Sequence, residues 1–177
     1  MAGRTCIQGK GALPGASAGS LLIQGLFSRS LKKPIGATKR PAIIVNQSNP
    51  IDDLSLKELR TVFLGERSHW PNGRRITLVM MDQGLVERNA ALRDVCHMSE
   101  TEFGRHFLQG LFTGEVFVSP KTLSTPTGVR KFVFNVPGAI GYVRASDVDE
   151  TVKVIRINGH RVDDPEYPLR LEARATK

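Results

Sequence analysis

Cysteine is nearly absent from this 177-residue chain, with only Cys6 and Cys96. Two cysteines without a spacing pattern build neither a disulfide framework nor a zinc site. Cys96 therefore reads as a small, partly buried hydrophobe. No run of about twenty apolar residues occurs, so no segment is suited to crossing a membrane as a helix. Acidic residues are missing from positions 1–41, which hold seven basic residues: Arg4, Lys10, Arg29, Lys32, Lys33, Lys39 and Arg40. The rest of the chain sets 18 of the 25 basic residues against all 17 acidic ones, so the net charge of +8 belongs almost wholly to this segment. A nucleic-acid binder presents Lys and Arg along one face of its fold; a nearly neutral body gives no sign of specific nucleic-acid recognition. The basic segment could add only non-specific, salt-sensitive affinity.

Composition divides the chain into three parts. Residues 1–41 mix Gly, Ser, Pro and basic residues, which predicts a disordered tail or targeting segment, with at most a short amphipathic turn around residues 20–31. The apolar stretch Leu21–Phe27 is short and interrupted for a secretory signal. An organellar transit peptide, a surface linker and a misassigned start fit it equally. Residues 42–168 carry the periodic patterns of one folded domain. Residues 169–177 read as a C-terminal tail.

Order is expected to begin with an apolar strand at residues 42–46. A helix follows, announced by Ser55 with Glu58 three residues on, a capping box, and by the stripe Leu56, Leu59, Val62 and Phe63. Ile76–Met80 is apolar on both faces and reads as an interior strand. A second helix is expected over about residues 84–96. A third opens at Ser99 with a second capping box to Glu102; its buried stripe is predicted as Phe103, Phe107, Leu108 and Leu111. Residues 115–124 read as loop, with at most a short strand at Val116–Val118. Thr125 caps a fourth helix, with Pro126 at its first position, and strands follow at residues 139–143 and 151–157. This order predicts an α/β fold, a mixed sheet flanked by helices.

Catalytic chemistry finds little support. His69, His97, His106 and His160 share no metal-ligand spacing and stand near no nucleophile motif. Asp52 and Asp53 precede a helix, where carboxylates favour the positive end of the dipole. Asp147, Asp149 and Glu150 lack the spacing of a calcium loop. Gly104, Gly110 and Gly114 are followed by no Gly-Lys-Ser/Thr and make no phosphate loop. No enzyme activity, cofactor or metal is implied. The one local candidate is the strand-to-helix turn at residues 81–88. Backbone amides there, at Gln83, Gly84 and Leu85, can hold an anion at a helix start, and Arg88, about one turn in, could add a charged donor. The plain alternative is an ordinary turn with Arg88 at the surface, paired to Glu87 or solvent.

Several segments together resemble the phosphate ABC transporter substrate-binding proteins, and more narrowly their short, single-lobe relatives. They are Asn46–Pro50, Leu54–Gly65, Trp70–Gly73, Met98–Phe107, Leu111–Gly114, and the run Asn135-Val136-Pro137-Gly138-Ala139-Ile140-Gly141-Tyr142-Val143. The resemblance covers about residues 42–168. It implies one lobe of a type II periplasmic binding fold, a solute-binding role for a small oxyanion such as phosphate, and a periplasmic or secreted location. With room for one lobe, the chain would need a homodimer or another protein to complete a cleft. The family's serine and threonine at the helix start are replaced by Leu85 and Val86, and its strand arginine falls in the region Met80-Met81-Asp82. Charged hydrogen bonds contribute about 1.5–3 kcal/mol each, so losing two weakens binding about 10²–10⁴-fold. Weak or lost oxyanion binding follows, and the alternative is a non-catalytic interaction or assembly domain that kept the fold without a ligand.

Overall fold

A computed structural model describes residues 39–171. The expectations for the basic segment before residue 39 and for positions 172–177 lie outside the described residues. The sheet is built from β1 (Pro41–Asn46), β3 (Thr77–Met81), β4 (Lys121–Leu123), β5 (Ala139–Arg144) and β6 (Val152–Val154). Their spatial order is β4-β3-β5-β1-β6. β3 runs parallel to both β4 and β5, while β1 is antiparallel to β5 and β6. The mixed α/β sheet expected from the sequence is what forms. Two short strands, β2 (Asp53–Leu54) and β7 (Arg156–Ile157), pair separately.

Four helices flank the sheet: α1 (Leu56–Phe63), α2 (Val86–Ala91), α3 (Glu100–Thr113) and α4 (Pro126–Asn135). Neighbouring residues of a strand point to opposite faces, and β5 shows which helix takes which face. Gly141 approaches Val129 of α4, while the next residue, Tyr142, stacks on Phe63 of α1 at 6.0 Å. The Tyr142 phenol oxygen also accepts the Met81 N–H at 3.2 Å, and burial pushes that phenol's pKa up. All six residues of β1 are buried, which fits a central strand covered on both sides.

Both capping boxes form. Ser55 and Glu58 exchange side-chain and backbone hydrogen bonds at the start of α1, and Ser99 with Glu102 do the same for α3. Thr125 accepts from the Gly128 N–H, with Pro126 opening α4. These ends depend on partners three residues away, and so they were legible without tertiary context.

Four expectations need correction. The helix expected over residues 84–96 is α2 followed by a π-helical turn, Leu92–Cys96, ending at His97 in the left-handed conformation. Val116 and Val118 form no strand. They are buried from a loop, Val116 against Gly110 and the Val118 carbonyl against Gly65, and the strand comes later as β4. Residues 151–157 break into two strands of different sheets: Ile155 still donates to the Ile43 carbonyl of β1, whereas the next N–H, of Arg156, donates to the Asp52 carbonyl. Finally, α3 buries Phe103, Phe107 and Gly110, and leaves Leu108 and Leu111 outside at 62% and 53% exposure. Gly110 lets the Val116 side chain approach too closely for any larger residue, and that contact turns Leu108 and Leu111 away.

Trp70 lies in the core, and its indole N–H donates to the Gly138 carbonyl at 3.0 Å. A Cβ on Gly138 would stand 2.0 Å from the Arg75 carbonyl oxygen. Gly138→Ala is therefore expected to destabilise the fold by about 1–3 kcal/mol, seen as a lower denaturation midpoint at unchanged slope. Cys96 is fully buried, and burial pushes its thiol pKa up to about 12. In a Cys6→Ser background, a thiol reagent at about pH 8 should leave Cys96 unlabelled until denaturant is added.

Candidate functional site

Parallel strands that end side by side deliver their following loops to one edge, where ligands of open α/β sheets bind. Here β3 and β4 end level, with Met81 opposite Leu123, and the Asp82 N–H donates to the Leu123 carbonyl at 3.1 Å. β5 runs parallel beside β3 and ends at Arg144. Residues 82–85, residues 124–125 and Arg144 therefore share the carboxyl edge.

At this edge Gly84 has φ +83°, a conformation that favours glycine, and open space where a Cβ would stand. Gln83 and Gly84 are exposed and Leu85 is half-buried. Leu85 occupies the N-cap position of α2 without a side-chain cap, and its carbonyl accepts the first helical bond, from the Asn89 N–H at 3.1 Å. The amides of Val86, Glu87 and Arg88 precede that bond and have no intrahelical acceptor. Asp82 is half-buried beside the turn. Ser124 and the Thr125 cap leave β4 at the same level.

Arg88 does not lie at the surface beside Glu87. It is 5% exposed, and its guanidinium makes a bidentate pair with Glu100, Nε to Oε2 at 2.7 Å and Nη2 to Oε1 at 2.6 Å. Nη1 donates to the Met81 carbonyl at 2.8 Å, and the Phe103 ring lies 5.7 Å away. Burial opposes the charge on Arg88, but the hydrogen bond and field of Glu100 outweigh it and raise the guanidinium pKa. Three of its five N–H groups are thus committed to the protein.

Glu87 is also buried, and its carboxylate pairs with the half-exposed Arg144. Arg144 bonds through Nε. Sequence reasoning passed over this residue. The available signal was its place: the first charged residue after the apolar run of β5, at the end of a strand.

Two hollows among the described residues lie elsewhere. One of about 330 Å³ is lined by Asp52, Lys153, Arg156 and Arg161 among others, and one of about 140 Å³ by Arg130, Phe134 and Asp149 among others. Residues 82–88 line neither. Among the described residues no group of three or more His, Cys, Asp and Glu could hold a metal ion, and no helix is long and apolar enough to cross a membrane.

No protein-family model matches the chain. Solved structures do. A protein from Clostridium perfringens described as a phosphate ABC transporter substrate-binding protein, with bound phosphate, aligns with 70% of this chain and 46% of its own, at 22% identity and a TM-score of 0.54. An ABC-type phosphate transport receptor from Vibrio cholerae aligns with 77% of this chain and 58% of its own, at 18% identity and a TM-score of 0.51. PstS from Borrelia burgdorferi aligns with 69% of this chain and 48% of its own, at 12% identity and a TM-score of 0.54. At these identities the likeness is one of fold, and the chain spans about half the length of the proteins it matches.

The Arg88–Glu100 pair generates a stability prediction. Glu100→Ala would leave a buried guanidinium unpaired, which costs about 3–5 kcal/mol at fully buried sites. Glu100 is 31% exposed, so about 2 kcal/mol is expected in chemical denaturation. Replacing both partners by Met should recover most of that loss.

Proposed function

We propose that this lobe is a non-catalytic solute-binding module that offers one wall of an oxyanion cleft. The observation that carries the reading is the carboxyl edge itself. An uncapped helix start behind Gly84 stands beside the loop after β4, with a half-exposed arginine, Arg144, tied to the same helix through Glu87. The Leu85 amide closes the turn on the Asp82 carbonyl at 3.5 Å, so the amide hydrogens of Gln83, Gly84 and Val86 would meet the anion's oxygens, Arg144 would supply the positive charge, and Ser124 could add a hydroxyl. Arg88 takes the supporting part of holding the turn in place. Phosphate is the oxyanion favoured by the likeness to the phosphate receptors.

Affinity on this reading is low. Asp82 opposes a fully charged anion, and one open wall leaves most of the ligand in water. A second lobe, from another copy or another protein, would close the cleft. The same reading puts the protein where transporter-linked binding proteins work, in the periplasm or outside the cell.

A titration of the isotopically labelled full chain with inorganic phosphate, at ionic strength matched by chloride, tests this. Amide shifts should appear at Gln83, Gly84 and Val86 by about 10 mM phosphate. Arg144→Ala should weaken the response by about 10-fold or more, the value of one charged hydrogen bond. A spectrum unmoved by phosphate at those amides would sink the reading.

A further inference from the structure

β6 closes one end of the five-stranded sheet, and its residues border the larger of the two hollows described above. The register fixes where the strand's backbone groups point. Ile155 donates to the Ile43 carbonyl of β1, and antiparallel hydrogen bonding alternates residue by residue, so Val152 and Val154 direct their N–H and C=O away from β1. Among the described residues those groups have no hydrogen-bond partner. Pairing on that side resumes only at Arg156, which donates to the Asp52 carbonyl at 2.9 Å. Lys153, Val154 and Ile155 all line the hollow. Consecutive residues of a strand point to opposite faces, so a hollow that touches all three lies along the edge.

We propose that this edge accepts an extended peptide with acidic side chains, which pairs its backbone with Val152 and Val154 as an added strand. An extended backbone is the complement of donors and acceptors repeated at strand spacing, and the hollow beside them, about 330 Å³, has the size of a small binding site. Charge on the rim selects the acidic partner. Lys153, Arg156 and Arg161 line the hollow against Asp52 and Asp163. A lysine on an edge strand ordinarily guards it against strand addition. Here Lys153 is held by the Asp52 carboxylate at 2.8 Å and by the Asn49 carbonyl. Arg161 stands 3.6 Å from Asp163, and the exposed Arg156 is in no ion pair among the described residues. The β6 strand of a second copy would bring the same cations to the same edge, so the partner is a chain of opposite charge.

The length of the edge sets the strength of the contact. β6 is 3 residues long, and a few backbone hydrogen bonds with one or two exposed charge contacts make a weak complex, with Kd on the order of 1 mM. The pairing does not rest on the anion reading, because neither residues 82–86 nor Arg144 lines this hollow.

The isotopically labelled full chain, titrated with the capped peptide acetyl-Val-Glu-Val-Glu-Val-amide to about 5 mM, several times that Kd, tests this. The Val152 and Val154 amides should shift, and their hydrogen exchange should slow by about fivefold at the top concentration. The lysine counterpart, acetyl-Val-Lys-Val-Lys-Val-amide, should bind about tenfold or more weakly. Arg156→Glu, a change to an exposed side chain, should weaken the glutamate peptide by about fivefold. A fully N-methylated glutamate peptide keeps the charge but loses its backbone donors, and it should leave Val152 and Val154 unmoved. Equal binding by the N-methylated or the lysine peptide overturns the proposal, as do Val152 and Val154 amides that stay in place with the glutamate peptide at full concentration. A chain whose mass doubles from 19.5 kDa without peptide, with the Val154 amide protected, puts a second copy on the edge and overturns it as well.

Discussion

A guanidinium withdrawn from water needs hydrogen-bond partners for its donors and a countercharge close by, and in this lobe Arg88 finds them in three separate elements. Its own helix, α2, brings it inward; the last residue of β3 offers the Met81 carbonyl; the first residue of α3 supplies both oxygens of Glu100. The clamp joins the strand end, the turn behind Gly84 and the start of α3. Much else depends on it. It holds the helix start at the carboxyl edge, and it anchors the end of the helix whose outer face stays apolar. A second anchor further along α3, His106 against the Leu64 carbonyl at 3.0 Å, helps set that helix's rotation.

The clamp also divides the labour between two arginines. A charge bound bidentately inside the protein stabilises the loop but is poorly placed to meet a guest, since releasing it would leave Glu100 without its partner. Arg144 is in the opposite position. It emerges at the end of β5, half in water, and its carboxylate Glu87 sits on the first turn of α2. Charge at the edge therefore arrives from the neighbouring strand rather than from the turn that faces the ligand in the anticipated arrangement.

Half the length of the matched transport receptors is enough for a complete sheet with both faces covered. Hollows of about 330 and 140 Å³ lie against Lys153 and beside Phe134 rather than at the candidate edge.

What could be read without coordinates was whatever short-range physics decides. The cap hydroxyls of Ser55, Ser99 and Thr125, each meeting an amide three residues on, followed from spacing alone, as did the α/β class and the buried strand before Gly84. Tertiary structure decided the partners that spacing cannot specify. Glu100, twelve residues from Arg88, took the guanidinium inward; Glu87, 57 residues from Arg144, marked a different arginine; and Val116 against Gly110 chose which side of α3 faces the core. The helical period shows that an apolar stripe exists but not which stripe the rest of the protein covers, because that depends on the shape of the surface it meets. Leu108 and Leu111 resemble core residues in the sequence and became surface only when a loop valine claimed the other side.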